Sequence, residues 1–160
     1  MGVAGCGKSS VGEALASQTN FTYFDGDDLH PQANINKMSS GQPLTDDDRF
    51  PWLALIGERF QQSEGHVAIG CSALKRIYRN QIRETSGGDI VFVHLEGNRE
   101  LISGRLDTRQ GHFMPPALLD SQFKDLETLE TDEAGFAVAI DQPVEGIVDT
   151  IKRNLQEISA

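Results

Sequence analysis

Features of secreted and membrane proteins are scarce in this sequence. Its only cysteines are Cys6 and Cys71, which do not form a C-x-x-C pair, so no disulfide framework is indicated. No apolar run is long enough to span a bilayer, and we expect no signal peptide, internal repeat or low-complexity segment. These absences favour a reducing compartment, and we expect a cytoplasmic protein with no membrane partner.

Positive charge is also scarce. Lys and Arg number 14 against 24 Asp and Glu, which gives a formal net charge of −10 and a pI near 4.7. A protein that binds duplex nucleic acid needs a basic face, so we expect no nucleic-acid partner. ATP remains compatible with this composition, because a local nest of N–H groups and a few cations can bind phosphate. Residues 1–160, of which 38% are hydrophobic, are expected to form one domain.

A phosphate-binding motif lies at the start of the sequence. Gly2–Ser9 fits the P-loop pattern G-x-x-x-x-G-K-S/T. Its glycines allow tight turns that direct N–H groups at phosphate oxygens, Lys8 can reach the β- and γ-phosphates, and the Ser9 hydroxyl can bind Mg²⁺. An amphipathic helix with Val11 and Leu15 inward should follow and offer its N-terminus to the same anion. The alternative, a glycine-rich turn, is the weaker hypothesis because of that helix.

The predicted strands alternate with helices, which indicates an α/β fold with a parallel sheet. The strands are expected at Phe21–Phe24, His66–Leu74, Asp89–Leu95 and Gly135–Ile140. A P-loop normally follows a buried strand, and only Met1 precedes Gly2. We therefore expect that the first strand is missing, through a late start site or trimming. Such a gap would leave the middle of the sheet empty and weaken both stability and ATP binding.

Two carboxylates follow the first of these strands. Asp25 and Asp27 lie where a parallel sheet places its ligands, beyond the carboxyl end of a strand. They could position an acceptor hydroxyl, take its proton or hold Mg²⁺ through water. They could equally form an acidic turn that caps the next helix. The residue types alone leave both interpretations open.

Several cations have a similar ambiguity. Arg49 could form a surface ion pair or clamp an anionic substrate, since guanidinium binds carboxylate in a bidentate manner. Lys75 and Arg79 begin a helix rich in cations, which indicates a solvated face, although a strand end just before them favours contact with an anion. His94 alternates within a strand and is expected to be a packed histidine.

A lid is predicted in the second half of the chain. Arg105 and Arg109 share one helix face and precede the break at Gly111–Pro116. Phosphoryl transfer must exclude water, and mobile lids that carry arginine do so, which favours a lid over about residues 109–132. We expect residues 127–133 to form an exposed acidic loop. Earlier in the chain, we expect a long helix to begin at Pro51.

Taken together, the motifs closely resemble the small P-loop gluconate kinases, relatives of the shikimate and nucleoside-monophosphate kinases. The resemblance covers nearly the whole chain, through Met1–Ser9, Phe24–Pro31, Gly41–Leu53, Cys71–Lys75, Tyr78–Arg79, Ser103–Leu106, Arg109–Pro115 and Asp141–Pro143. One departure is Cys6, where serine is usual. We expect this side chain not to matter, because the loop works through its backbone.

This resemblance implies ATP-dependent phosphorylation of D-gluconate to 6-phospho-D-gluconate. The implied fold is a three-layer P-loop kinase with a five-stranded parallel sheet in the order 2-3-1-4-5, and family members are often homodimers. The implied nucleotide site comprises Gly2, Gly5, Cys6, Gly7, Lys8, Ser9, Ser10, Asp141, Gln142 and Pro143. Ser9 and Asp25 would hold Mg²⁺. Catalysis would use Lys8, Asp27, Arg105 and Arg109, and the acceptor would meet Asp27, His30, Arg49, Lys75 and Arg79.

Two other functions are weighed against this one. A shikimate-type kinase of the same fold would also carry the acidic pair and a clamping arginine, but the stretch Asp46–Trp52 is not one we associate with shikimate. A nucleotide-switch GTPase usually carries Asn-Lys-x-Asp after a strand. Here Asn36-Lys37 has no such aspartate and lies in a predicted helix, so the switch is the weaker hypothesis.

Overall fold

The computed structural model describes residues 1–108 and 116–158 of the chain. Its strands are β1 (Phe21–Asp25), β2 (His66–Gly70), β3 (Phe92–Glu96) and β4 (Gly135–Ala139). Its helices are α1 (Lys8–Gln18), α2 (Gln32–Ser39), α3 (Asp46–Gln62), α4 (Arg76–Ser86), α5 (Arg99–Thr108), α6 (Pro116–Asp125) and α7 (Val144–Ile158), with a 3-10 turn at Gly26–Leu29. None of the helices in the described ranges combines the length and apolar character needed to cross a membrane.

The strands form two parallel pairs. β1 pairs with β2 in the register Phe21 to His66, and β3 pairs with β4 in the register Phe92 to Gly135. The first two residues of the chain lie between these pairs. The N–H of Leu95 donates to the Met1 carbonyl at 2.9 Å, and the N–H of Gly2 donates to the Ser72 carbonyl at 3.1 Å. The described residues thus confirm parallel pairing but form two small sheets, not one five-stranded sheet.

The apolar core has two parts, one behind each half of the molecule. The first contains Val11 and Leu15 of α1, as their spacing predicts, together with residues of β3, β4, α5 and α7. The second is formed by α3 and α4 through Trp52, Ile56 and Ile82. His94 is buried within β3, so the prediction of a packed histidine is confirmed.

Helix α3 begins five residues earlier than the sequence predicts, and Pro51 lies inside it. The cause is a capping box: the Thr45 hydroxyl accepts from the Asp48 N–H, while the Asp48 carboxylate accepts from the Thr45 N–H at 2.8 Å. This cap satisfies N–H groups at the helix start. The earlier start brings Asp46 and Arg49 onto the first turn of a rigid helix.

The segment after β2 also departs from the prediction. β2 ends at Gly70, and residues 71–75 are irregular, with Ala73 in the left-handed region at φ 44°. Helix α4 then turns Tyr78 and Ile82 inward, whereas Ile77 is exposed. The irregular segment therefore takes the place of the last residues of the predicted strand. Its carbonyl groups accept hydrogen bonds from other parts of the chain.

The packing of α3 on α4 depends on Gly57. A Cβ at this position would lie 1.8 Å from the Thr85 hydroxyl oxygen and 2.8 Å from the Ile82 carbonyl oxygen. We expect Gly57→Ala to lower the free energy of unfolding by about 1–3 kcal/mol, because overpacking outweighs the helix propensity that alanine gains. Urea unfolding would measure it.

Gly104 in α5 provides the matched control. Among the described atoms, nothing outside its own helix backbone lies within 4 Å of a Cβ placed there. Gly104→Ala should therefore raise the free energy of unfolding by about 0.5–1 kcal/mol. Equal effects at the two positions would show that the helix contact at Gly57 is looser than the structure indicates.

Candidate active site

The P-loop curls around the ammonium group of Lys8. Gly5 and Gly7 have φ values of 82° and 101°, in the left-handed region that glycine adopts without strain. Gly7 directly precedes α1, so the N-terminus of that helix opens into the loop. Lys8 Nζ donates to the carbonyls of Gly2 at 3.0 Å and Val3 at 3.1 Å. The loop therefore has the left-handed glycines that the P-loop pattern predicts and a cation at its centre.

Cys6 corrects one expectation about this loop. Its side chain is fully buried and belongs to the first core, where its sulfur would lie 2.8 Å from a Cβ placed on Gly2. The side chain therefore supports the loop from below, contrary to our expectation that it does not matter. Only the backbone of Cys6 remains available to a phosphate.

Asp25 joins the P-loop helix to the turn that follows β1. The Ser9 hydroxyl donates to Asp25 Oδ2 at 3.4 Å, and the N–H of Asp27 donates to Asp25 Oδ1 at 3.0 Å. Asp25 thus caps the 3-10 turn, as the structural interpretation of the acidic pair proposed. It also lies beside Ser9. A hydroxyl and a carboxylate at this spacing are the hard oxygen ligands that suit Mg²⁺.

Asp27 lies in that turn. Its side chain is 81% exposed, and Oδ1 lies 3.8 Å from Nε2 of His30. Partial desolvation by neighbouring groups, together with the nearby charge of Asp25, raises the pKa of Asp27. A carboxylate in this position can accept a hydrogen bond or a proton from a hydroxyl group.

The ring of His30 is held by neighbours that local sequence patterns did not indicate. It stacks on Trp52 with centroids 4.1 Å apart, and Trp52 Nε1 donates to the Gly26 carbonyl at 2.7 Å. Burial lowers the pKa of His30, and the positive charge of Arg49 acts in the same direction against the opposite effect of Asp27. The imidazole is thus favoured in its neutral form beside Asp27.

Arg49 and Lys75 both lie near the Tyr78 ring, but of these two only Lys75 forms an ion pair with another of the described residues. The Arg49 guanidinium lies 5.8 Å from the centroid of the Tyr78 ring, and no ion pair of the described residues involves it. Lys75 Nζ instead lies 3.1 Å from Asp46 Oδ1, which also accepts from the Tyr78 hydroxyl. Arg49 is therefore the better placed of the two to bind an anionic substrate.

Arg79 does not fit the acceptor role that the sequence suggested. The side chain is fully buried, and its Nε and Nη2 each donate at 2.7 Å to the two oxygens of Glu133. It also donates to carbonyls of the β2–α4 segment and of the 127–133 segment, namely those of Ala73, Leu74, Glu127 and Thr128. Arg79 is a structural residue, and the loop we expected to be exposed is held to α4 through buried Glu133.

Arg105 lies beside the P-loop. Its Nη1 would be 3.9 Å from a Cβ on Gly7, and its Nη2 donates to the Ile140 carbonyl. A cavity of about 300 Å³ opens here, lined by Gly7, Ser10, Arg105, Thr108, Val144 and Ile147, among others. Asp141–Pro143 directly precede Val144, which lines this cavity. Arg109 and the predicted break from Gly111 lie outside the described residues, except for Pro116.

Comparison with known proteins assigns this chain to a family. Residues 4–141 match the shikimate kinase family. Over 161 aligned residues the chain is 45% identical to the gluconokinase of Gluconobacter oxydans, covering 98% of this chain and 89% of that protein. The chain belongs to the gluconokinase family. Another member, the thermoresistant gluconokinase of Escherichia coli, is 43% identical and matches 92% of this chain and 86% of its own length.

A solved structure confirms the fold of the gluconokinase family for this chain. The crystal structure of a gluconokinase from Sinorhizobium meliloti superposes with a TM-score of 0.82 at 46% identity, covering 100% of this chain and 95% of that one. The α/β P-loop kinase fold is thereby confirmed, and so is the resemblance found in the sequence. The chain is a kinase, and its family implies the use of ATP.

Proposed function

We propose that this chain transfers the γ-phosphoryl group of ATP to the terminal hydroxyl of D-gluconate, producing 6-phospho-D-gluconate. The observation that carries the proposal is a series of hydrogen bonds that connects the P-loop to Asp27. Ser9, which follows Lys8 in the P-loop, donates to Asp25, and Asp25 also accepts from the N–H of Asp27, which lies beside His30. Arg49 lies near Tyr78 and forms no ion pair with any of the described residues. The relatives of 43–45% identity are named gluconokinases, which supports gluconate as the acceptor.

The donor half would bind the nucleotide mainly through backbone groups. The N–H groups of Gly5–Ser10 would surround the β- and γ-phosphates, Lys8 would neutralise their charge, and the neighbouring cavity beside Asp141–Pro143 would take the nucleoside. Ser9 and Asp25 would hold Mg²⁺, which when bound neutralises charge on the phosphates. Arg105 lies close enough to Gly7 to approach the transferred group, and Arg109 is proposed to assist it from the lid.

The acceptor half would bind gluconate at both of its ends. Arg49 would pair with the carboxylate, because guanidinium offers two parallel N–H donors. Asp27 would accept a hydrogen bond from the terminal hydroxyl, orient its oxygen in line with the γ-phosphate and take its proton as the new bond forms. His30 would help to orient the Asp27 carboxylate. Lys75 would contribute to the acceptor site indirectly, through its ion pair with Asp46.

A shikimate-type kinase is the second candidate, since the shikimate kinase family match spans residues 4–141. The overall identity to gluconokinases favours gluconate. The nucleotide-switch hypothesis has less support, because Lys37 lies in α2, forms an ion pair with Asp48 and is not among the residues that line the cavity beside the P-loop.

We further propose the finer architecture that the resemblance implies. Residues 1–160 would form one domain with a lid over about 109–132, in a cytoplasmic protein that forms homodimers and binds no nucleic acid. In the strand order 2-3-1-4-5, β1 and β2 would be the second and third strands, and β3 and β4 the fourth and fifth. The bonds from Met1 to β3 and from Gly2 to the end of β2 support a central position for these two residues.

The substitution Arg49→Ala tests the acceptor assignment. We expect the KM for gluconate to rise about 10- to 100-fold with little change in the KM for ATP, because one charge-assisted contact to the acceptor is lost. Steady-state kinetics of ADP release would measure both constants. Arg153→Ala, at an exposed position on α7, is the matched control and should leave both unchanged.

The same assay tests the proposed function itself. With the wild-type protein, gluconate must be consumed with ATP, and the product must be the 6-phosphate. If Arg49→Ala raises the KM for ATP instead, Arg49 belongs to the donor site. If the wild-type protein leaves gluconate unphosphorylated, the proposed function is wrong.

A further inference from the structure

The imidazole of His30 is fixed in one plane beside the candidate catalytic carboxylate. Only 7% of its side chain is exposed, and it stacks on Trp52 at an interplanar angle of 16°. Trp52 is in turn fixed by its bond to the Gly26 carbonyl, within the same turn that carries Asp27. The ring of His30 therefore presents its two nitrogens in fixed directions, one toward Asn34 and one toward Asp27.

The side-chain amide of Asn34 has only one possible orientation. Asn34 is buried, and one end of its amide lies 2.9 Å from the Asp48 carbonyl oxygen. A carbonyl oxygen can only accept, so the NH₂ group must face it. The same nitrogen lies 3.3 Å from Nδ1 of His30. The NH₂ group has two hydrogens, one for each acceptor.

This orientation determines where the His30 proton lies. Since Asn34 donates to Nδ1, that nitrogen must offer its lone pair, and the proton of the neutral ring is on Nε2. The Nε2–H then faces Asp27 Oδ1 at 3.8 Å. The exposed Asp27 side chain is free to rotate through the remaining distance. Charged groups around the pair are Asp25, Asp28 and Lys8 near Asp27, and Arg49 near His30.

We propose that Asn34 and His30 are positioning residues for Asp27. Asn34 holds His30 as the Nε2–H tautomer, and this N–H donates to one oxygen of the Asp27 carboxylate, leaving the other oxygen for the acceptor hydroxyl. The inference rests on the proposed function, because that function supplies the substrate hydroxyl that Asp27 would orient. It differs from a direct contact between His30 and the substrate, because His30 acts here only through Asp27.

The tautomer can be measured without any substrate. In ¹⁵N-labelled protein, long-range ¹H–¹⁵N correlation spectra distinguish the two tautomers for each of the 4 histidines, and His30→Gln identifies the signal of His30. We expect the Nε2–H form in the wild-type protein. Asn34→Asp presents an acceptor to Nδ1 and should convert the ring to the Nδ1–H or the doubly protonated form. An Nδ1–H ring in the wild-type protein, or an unchanged tautomer in folded Asn34→Asp, would overturn the proposal.

Kinetics of a matched pair test the positioning role. The amide nitrogen of glutamine reaches the place of Nε2, whereas that of asparagine matches Nδ1. We expect His30→Asn to lower kcat by about tenfold or more with an unchanged KM for ATP, and His30→Gln to recover most of that loss. Equal losses in folded variants would reveal a merely structural role, and a rise in the KM for gluconate without a fall in kcat would reveal direct binding; either overturns the proposal. Absence of gluconate turnover in the wild-type protein would overturn only the proposed function, since the spectra still report the tautomer.

Discussion

Lys8→Ala is expected to lower kcat by about 10³-fold or more while the protein remains folded. The physical reason is the central position of Nζ in the loop, where it donates to the carbonyls of Gly2 and Val3. Phosphoryl transfer relies on positioning and charge neutralisation, and Lys8 supplies a positive charge at the centre of the loop. Coupled-enzyme kinetics at saturating ATP and gluconate would measure the loss, and thermal unfolding would check the fold.

A lysine outside the site supplies the control. Lys152 lies on α7 in a surface pair with Asp149, so Lys152→Ala should leave kcat at the wild-type value. If Lys8→Ala also turned over at the wild-type rate, the loop would not hold the transferred phosphate. If the variant were unfolded, the ammonium group would be needed mainly to hold the loop carbonyls.

The second large effect is on stability. Glu133→Gln is expected to lower the free energy of unfolding by about 3–5 kcal/mol, because it leaves the Arg79 guanidinium buried without a countercharge. Exposure of the two side chains is 0% and 1%. Arg79 also joins the segment after β2 to the segment before β4, so the loss should loosen both. Urea unfolding monitored by the fluorescence of Trp52 would measure it.

The same loop contains the matched control. Asp132 pairs with Arg76 on the surface, at 2.6 Å. Exposed ion pairs contribute little because water screens them, so Asp132→Asn should hardly change the unfolding midpoint. Equal effects of the two substitutions would show that the Arg79–Glu133 pair is as well solvated as the surface pair.

The buried pair also predicts a pH dependence. The hydrogen bonds from Arg79 lower the pKa of Glu133 from 4.5 to about 2. As pH falls, the unfolded chain therefore takes up this proton first, and the stabilisation present above pH 4.5 is lost toward pH 2. The stability difference between the wild-type protein and Glu133→Gln should shrink across this window. A constant difference would contradict the assignment.

The sequence predicts those parts of the site that local patterns encode. The P-loop is recognisable because its glycines and Lys8 are adjacent in the chain. Asp25 and Asp27 are predictable because they follow a strand, and Arg105 because it precedes the break before α6. In each case the residue and its structural context lie within a few positions of each other.

What could not be predicted depends on partners far along the chain. Arg79 has the same local setting as a ligand-binding cation, and only the fold reveals Glu133 beside it. Asn34 gains its role from the Asp48 carbonyl, which the capping box at Thr45 brings into place. The sequence predicts too late a start for α3 because proline usually marks a first turn, whereas the capping box at Thr45 determines the start.

The most direct test is to compare acceptors under one set of conditions. With MgATP, kcat/KM would be measured for gluconate, shikimate and the nucleoside monophosphates, with the phosphorylated product identified in each case. We expect turnover of gluconate, with a kcat/KM at least about 100-fold above that of the other acceptors. Turnover of shikimate or a nucleoside monophosphate without turnover of gluconate would contradict the proposed function.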